Sequence, residues 1–317
     1  MIVSVSRRTD IPAFYSDWFY KRIEEGFVYV INPFNRKQVS KIELNDKTVD
    51  CFIFWSKDPE PMIEKLNMLD ERNFKYYFQF TLNSYGKDIE KGTRKKIQII
   101  NTFLKLSNKI GKEKVIWRYD PILLNEYYTK EYHYKWFEEI CTKLNGYTEK
   151  CVISFLDLYD KTKRNTQNLK LHEITEDDMN EMAQRLASIA KKYNICIETC
   201  SESIDLEKCG VVKGKCIDDR LISKILNKNI DVKKDDTQRE ECGCVKSIDI
   251  GAYNTCRHYC LYCYANFNYD KVKENCQTYS ENLPMLMGNL KGDEKITLRK
   301  MDSIVKGDTV EQIKLEI

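Results

Sequence analysis

The segment Cys256-Arg-His-Tyr-Cys260-Leu-Tyr-Cys263 has the residue types and spacing that speak most directly of chemistry. A compact loop of this kind can turn three thiolates toward one metal centre. A cubane cluster has four irons, so three thiolates leave one iron open to another ligand, whereas structural zinc usually closes its shell with four side chains. His258 lies inside the loop and could complete a zinc site, so a zinc knuckle stands beside the iron–sulfur reading. The chain holds thirteen cysteines, nine of them between Cys200 and Cys276. Cys51, Cys141, Cys151 and Cys196 are scattered through apolar segments and read as small buried hydrophobes. In Cys242-Gly-Cys244 the glycine allows both thiolates to turn inward. With Cys200 and Cys216 that pair suggests a four-thiolate site holding a second iron–sulfur cluster or zinc, and free reduced cysteines are the alternative. An odd cysteine total in a chain of 317 residues fits a disulfide framework poorly.

A second set of residues falls where strands end. Apolar runs rich in β-branched and aromatic residues occur at Ile2–Val5, Val49–Phe54, Tyr76–Phe80, Val115–Arg118, Cys151–Phe155 and Ile195–Thr199. Amphipathic segments at Tyr15–Glu25, Pro61–Glu71, Arg94–Ile110, Tyr132–Leu144 and Glu176–Tyr193 separate most of them, the last capped by Thr175. The spacing predicts an α/β fold of largely parallel strands with both faces covered, open or closed into a barrel, and residues 1–205 are expected to form a partial TIM-like (β/α)6 barrel. A cysteine-rich iron–sulfur region, residues 206–317, would pack on its rim as a C-terminal extension. A hairpin over Phe27–Asn32 and Gln38–Leu44 is inserted near the start. The strand ends carry Arg7, Arg8, Asp10, Lys57, Arg118, Asp120, Asp157, Glu198 and Glu202, which a barrel would gather on one rim as a polar pocket. The cations suit a carboxylate or phosphate, and the acids could orient hydroxyl or amino groups or exchange protons. Taken singly, each acid is equally well a helix cap or a surface ion-pair partner.

Composition narrows the field. No apolar run reaches the roughly 18–20 residues of a membrane-spanning helix, and the N-terminal sequence has no signal-peptide pattern, so a cytoplasmic protein is expected. Fifty-two Lys and Arg against 49 Asp and Glu give a net charge of +3, too balanced for a dedicated nucleic-acid binder. The charge run Asn227–Glu241 reads as a solvated face, and His133 and His172, in polar surroundings, as surface residues.

The cysteine spacing, with aromatic Tyr262 just before the last cysteine, resembles the radical S-adenosylmethionine (SAM) superfamily. That resemblance implies a 4Fe–4S cluster on Cys256, Cys260 and Cys263, SAM chelated by the open iron, and Tyr262 near the adenine. One electron from the reduced cluster would then cleave SAM to a 5′-deoxyadenosyl radical that abstracts hydrogen. It also implies a polar small-molecule substrate, an electron donor such as ferredoxin or flavodoxin, and a partial six-stranded barrel. Two features depart from the superfamily pattern. The loop lies past residue 250 and not after the first strand, although strand-like Ser247-Ile-Asp-Ile-Gly251 precedes it, and no Gly-Gly-Glu follows the second strand. More closely, the chain resembles the bacterial domain of unknown function 1848 family. The likeness runs from Ser6-Arg-Arg-Thr-Asp-Ile-Pro12 through Phe54-Trp-Ser-Lys57, Trp117-Arg-Tyr-Asp-Pro121, Ser154-Phe-Leu-Asp157, Gln238-Arg239 and Cys242-Gly-Cys244 to Asn266. Two other readings stand beside radical chemistry: clusters or zinc that serve only structure or electron relay without SAM cleavage, and a nucleic-acid repair lyase, since Cys260-Leu-Tyr-Cys-Tyr-Ala265 is locally similar to spore photoproduct lyase.

Overall fold

The computed structural model describes residues 1–157 and 160–306; the end of the expected C-terminal region, 307–317, lies outside the described residues. Its strands are β1 (Ile2–Val5), β2 (Phe27–Asn32), β3 (Asn35–Glu43), β4 (Cys51–Ser56), β5 (Tyr76–Thr81), β6 (Val115–Ile122), β7 (Lys150–Phe155), β8 (Cys196–Thr199), β9 (Val212–Lys213), β10 (Ile248–Asp249) and β11 (Lys295–Leu298). Its helices are α1 (Ile11–Phe14), α2 (Ser16–Glu25), α3 (Glu60–Ile63), α4 (Asn67–Glu71), α5 (Lys96–Ile110), α6 (Lys130–Leu144), α7 (Asp160–Thr166), α8 (Glu176–Lys191), α9 (Asp219–Leu226) and α10 (Tyr269–Gln277).

Eight strands pair in parallel in the order β10-β1-β4-β5-β6-β7-β8-β9. The six expected strands are all present, and two short ones from beyond residue 205 extend the sheet at either edge. The sheet is open: β10 and β9 are its edges and do not pair with each other, so no closed barrel forms. The expected hairpin also forms, β2 against β3 in antiparallel, with β11 joining β3 to make a separate three-stranded sheet. One expected helix is broken. Over Pro61–Glu71 the amides of Lys65 and Leu66 reach back only three residues, to Met62 and Ile63, and this tight turn separates α3 from α4.

The two faces of the sheet are covered differently, and the strand alternation shows how. Val3, Phe52, Phe54, Phe78, Trp117, Cys151 and Ile153 point toward α2, α5, α6 and α8, in a core that includes Trp18, Phe103, Phe137 and Leu186. Phe54 and Phe78 stack with ring centroids 4.7 Å apart. Full burial of each such ring contributes roughly 1.5–3 kcal/mol. The intervening residues Ile2, Cys51, Ile53, Tyr77, Ile116 and Val152 face the other way and meet Cys216, Ile217, Ile222, Cys242, Cys244, Val245 and Ile304. The inner face is thus sealed by the cysteine-bearing C-terminal segment. Tyr77 Oη and Gln79 Nε2 both donate to the Cys216 carbonyl at 2.7 Å and hold that segment down.

Two smaller expectations fail. His133 is fully buried, with Nδ1 2.7 Å from the Tyr119 hydroxyl and Nε2 2.9 Å from the Leu123 carbonyl, because its helical position faces the core. His172 is exposed, as expected. Cys51, Cys141 and Cys151 are buried, but Cys196, the first residue of β8, is exposed. The run 227–241 is largely exposed, Asp235 excepted.

Candidate metal centre

The C-terminal ends of the strands open into a cavity of about 450 Å³ whose wall carries both cysteine groups, Cys256, Cys260 and Cys263 together with Cys200, Cys216, Cys242 and Cys244. Arg7, Arg8, Asp10, Lys57, Arg118, Asp120, Asp157 and Tyr262 also line it. Glu198 and Glu202 do not. Glu198 lies beneath Gly214, whose added Cβ would come within 2.7 Å of it, and pairs with Lys150 at 2.8 Å. Glu202 accepts from the Phe155 amide at 2.9 Å, and burial raises its carboxyl to about 8.

The loop that bears Cys256, Cys260 and Cys263 is pinned on several sides. Asn266 holds the backbone of Cys256 through both ends of its amide, and Asn254 Oδ1 accepts from the amides of Phe267 and Asn268. Glu90 and Cys260 form an antiparallel bridge, with Leu261 N–H donating to the Ile89 carbonyl at 3.0 Å and Gly92 N–H to the His258 carbonyl at 2.7 Å. Gly92 is required there: a Cβ would sit 2.1 Å from the Arg257 carbonyl oxygen. His258 also lines the cavity; its Nε2 is 2.8 Å from Asp10 Oδ2 and its ring packs on Phe14 at 4.6 Å, while its buried Nδ1 has no hydrogen-bond partner. Asp10 caps α1 through Ala13 N–H and accepts from Lys57 N–H, so it joins the first two strand ends to the loop.

Burial pushes all three thiols up, and for Cys256 and Cys260 the neighbouring thiols and acids (Asp10 and Glu90) add to it. Opposing this, the His258 amide donates to Cys256, the amides of Ala265 and Asn266 donate to Cys263, and Lys57 lies near Cys260 and Cys263. Burial thus favours the neutral thiols; as thiolates they would need a compensating cation, and a metal centre is the kind that thiolates take. The residues fit such a group. Among the described residues, no set of three or more His, Cys, Asp or Glu side chains stands ready around a single ion.

The parallel register of β10 with β1 sets Asp249 beside Ser4. Its carboxylate accepts from Ser4 Oγ at 3.0 Å, Ser6 Oγ at 2.6 Å, Arg7 N–H at 2.8 Å and Gly251 N–H at 3.0 Å, which fixes the turn that carries Arg7 and Arg8. Glu90, unremarked in the sequence, is almost fully buried behind the loop. Its Oε1 accepts from Lys57 at 2.7 Å and Tyr262 at 2.5 Å, and its Oε2 from Lys96 at 2.5 Å. Burial works against its ionisation, but the two ammonium groups prevail and hold the carboxyl well below the usual range. Lys57 also donates to the Tyr262 hydroxyl at 2.8 Å. Arg118 is buried, pairs with Asp120, and donates to Cys216 Sγ at 2.7 Å; it also lies 5.3 Å over the Trp55 ring. Asp157 pairs with Arg239 at 2.6 Å. Seven of the nine expected cations and acids therefore line one mouth, and most of them are already engaged by neighbouring side chains.

The family model for a domain of unknown function, DUF1848, matches residues 2–265. The chain belongs to this family. The DUF1848 match takes in all eight strands of the main sheet and both cysteine groups, ending two residues beyond Cys263. No curated protein and no solved structure matches the chain. Among the described residues no helix is long and apolar enough to cross a membrane.

Proposed function

We propose that this chain is a radical SAM-like iron–sulfur enzyme acting on a polar small molecule in its cavity. The observation that carries the reading is that Cys256, Cys260 and Cys263 share the wall of a cavity at the C-terminal ends of a parallel sheet, where α/β folds build active sites. An open parallel sheet of eight strands is in keeping with it. A 4Fe–4S cluster on these three thiolates, reduced by a donor such as ferredoxin or flavodoxin, would supply the electron that splits the carbon–sulfur bond of SAM.

The chain's own residues would do the rest. Lys57, Asn83 and Glu90 fix the Tyr262 hydroxyl and so hold the ring between Cys260 and Cys263 in place. Asp10, through His258, holds the start of the loop against the first strand end. Asp120 and Asp157 offer acceptors to hydroxyl or amino groups, and Arg7 and Arg8 add positive charge that suits a carboxylate. The test is anaerobic reconstitution, reduction and addition of SAM. Production of 5′-deoxyadenosine that is lost in Cys260→Ala supports the reading, and its absence from protein with an intact cluster refutes it.

A second reading, metal centres that serve structure or electron relay without SAM cleavage, is favoured by one feature: Lys57 and Arg118 are engaged by Glu90 and Asp120 and are not presented to a ligand. The same assay separates the two.

A further inference from the structure

Four thiols from three separate stretches of chain meet on the inner face of the sheet. Cys200 follows β8, Cys216 follows β9, and Cys242 and Cys244 flank Gly243. Cys200 Sγ lies 3.0 Å from Cys216 Sγ, and Cys244 Sγ interacts electrostatically with the thiols of Cys216 and Cys242. Gly243 lets the turn lie flush on the chain beneath it, since a Cβ would be 3.0 Å from Lys215 Cγ and 3.3 Å from the Gly214 carbonyl. Both flanking cysteines are thereby turned inward and buried.

Packing alone does not ask for sulfur here, because Ile217, Ile222, Val245 and Ile304 already cover the strands. Two donors instead aim at sulfur. Arg118 donates to Cys216 Sγ at 2.7 Å, and the Ile217 amide donates to Cys244 Sγ at 3.4 Å. All four cysteines line the cavity. We infer that Cys200, Cys216, Cys242 and Cys244 hold a thiolate-ligated metal centre of their own, zinc or an iron–sulfur cluster, that faces the same cavity as the three-cysteine loop. The two groups share no residue, so this inference does not depend on SAM chemistry. Sulfurs around a tetrahedral zinc with bonds of about 2.3 Å stand roughly 3.8 Å apart, so loading would spread the Cys200–Cys216 pair. A multi-iron cluster would spread it further.

The test uses the full chain, purified without oxygen, and two variants, Cys242→Ser/Cys244→Ser and Cys256→Ser/Cys260→Ser/Cys263→Ser. Metal and acid-labile sulfide analysis, with native mass spectrometry, reads what each retains. The triple variant is expected to keep a metal centre, zinc if sulfide is absent or iron–sulfur if it is present, and the double variant to lose that centre while keeping the other. A folded triple variant free of metal overturns the inference, as does a Cys200–Cys216 disulfide or four free thiols in the wild-type protein. Where a variant fails to fold, X-ray absorption on the wild-type chain decides: metal–sulfur scattering from four thiolates in addition to the three-cysteine cluster supports the inference, and its absence refutes it. A retained second centre with no SAM cleavage would leave this inference standing and remove the proposed activity.

Discussion

Gly92→Ala isolates the contact between the segment before α5 and the three-cysteine loop. The added methyl would lie 2.1 Å from the Arg257 carbonyl oxygen and 2.9 Å from His258 Cα, and both are backbone atoms that no rotamer change can move. Ordinary contact begins at 3.4 Å, so the two segments must separate by about 1.3 Å. Overpacking of this kind costs ~1–3 kcal/mol, and weakening of the 2.7 Å bond from Gly92 N–H to the His258 carbonyl adds ~1 kcal/mol. The expected loss is ~2–4 kcal/mol in urea unfolding. Metal ligands tolerate distance errors of only about 0.2 Å, so the shift should also lower iron bound by Cys256, Cys260 and Cys263 while sparing metal bound by the four-thiol group. Gly86→Ala is the milder comparison: its methyl would meet the end of the Asp88 side chain at 2.7 Å, which can move aside at the cost of its bond to the Tyr128 hydroxyl. If Gly92→Ala matches wild type in both stability and iron content, the loop is not positioned by this contact.

Glu90→Gln leaves Lys57 and Lys96 without their shared anion in a buried site, and should cost ~3–5 kcal/mol in chemical unfolding. Adding Lys57→Met to that variant should cost less than the two changes summed, and strict additivity would argue against the pair. Burial lowers His133 to about 4 from an ordinary 6.5, so the unfolded chain binds the proton more readily between those values. Stability should therefore fall as pH drops from about 6.5 to 4, by up to ~3 kcal/mol. Denaturation curves of His133→Gln should lack that part of the slope. Phe54→Ala, on the helix-covered face, should destabilise by ~3–5 kcal/mol in thermal or urea unfolding without changing metal content in protein that remains folded.

The helix-covered half of the fold was legible because its strands are continuous apolar runs and its helices carry one apolar stripe each. Cys51–Ser56 and the Thr175 cap of α8, with its reciprocal bond to Asp178, follow from local pattern alone. The two edge strands are only two residues long and are defined by pairing, which local pattern does not encode. The inner-face cover was harder still. Ile217, Val245 and Ile304 come from irregular segments whose packing depends on long-range contact. Spacing alone identified the three-cysteine loop, and the tight Cys242-Gly-Cys244 pair drew in Cys200 and Cys216 as partners. Glu90 was missed because it stands in a loop without periodicity, and its role appears only when that loop is laid against Cys260. Asp249 was within reach, since alternation in Ser247-Ile-Asp-Ile-Gly251 sets it opposite its neighbours. Glu198 and Glu202 show the limit of strand-end reasoning: position along a strand does not say whether a side chain reaches the cavity or is claimed by a neighbour such as Lys150.

In the proposed function, Cys256, Cys260 and Cys263 hold a cluster with an iron left open for SAM. Electron paramagnetic resonance of the reduced, reconstituted protein tests it directly, using the Cys242→Ser/Cys244→Ser variant so that only the three-cysteine group contributes. A reduced cluster signal that shifts when SAM is added is the predicted result. A cluster signal that SAM leaves unchanged would contradict it.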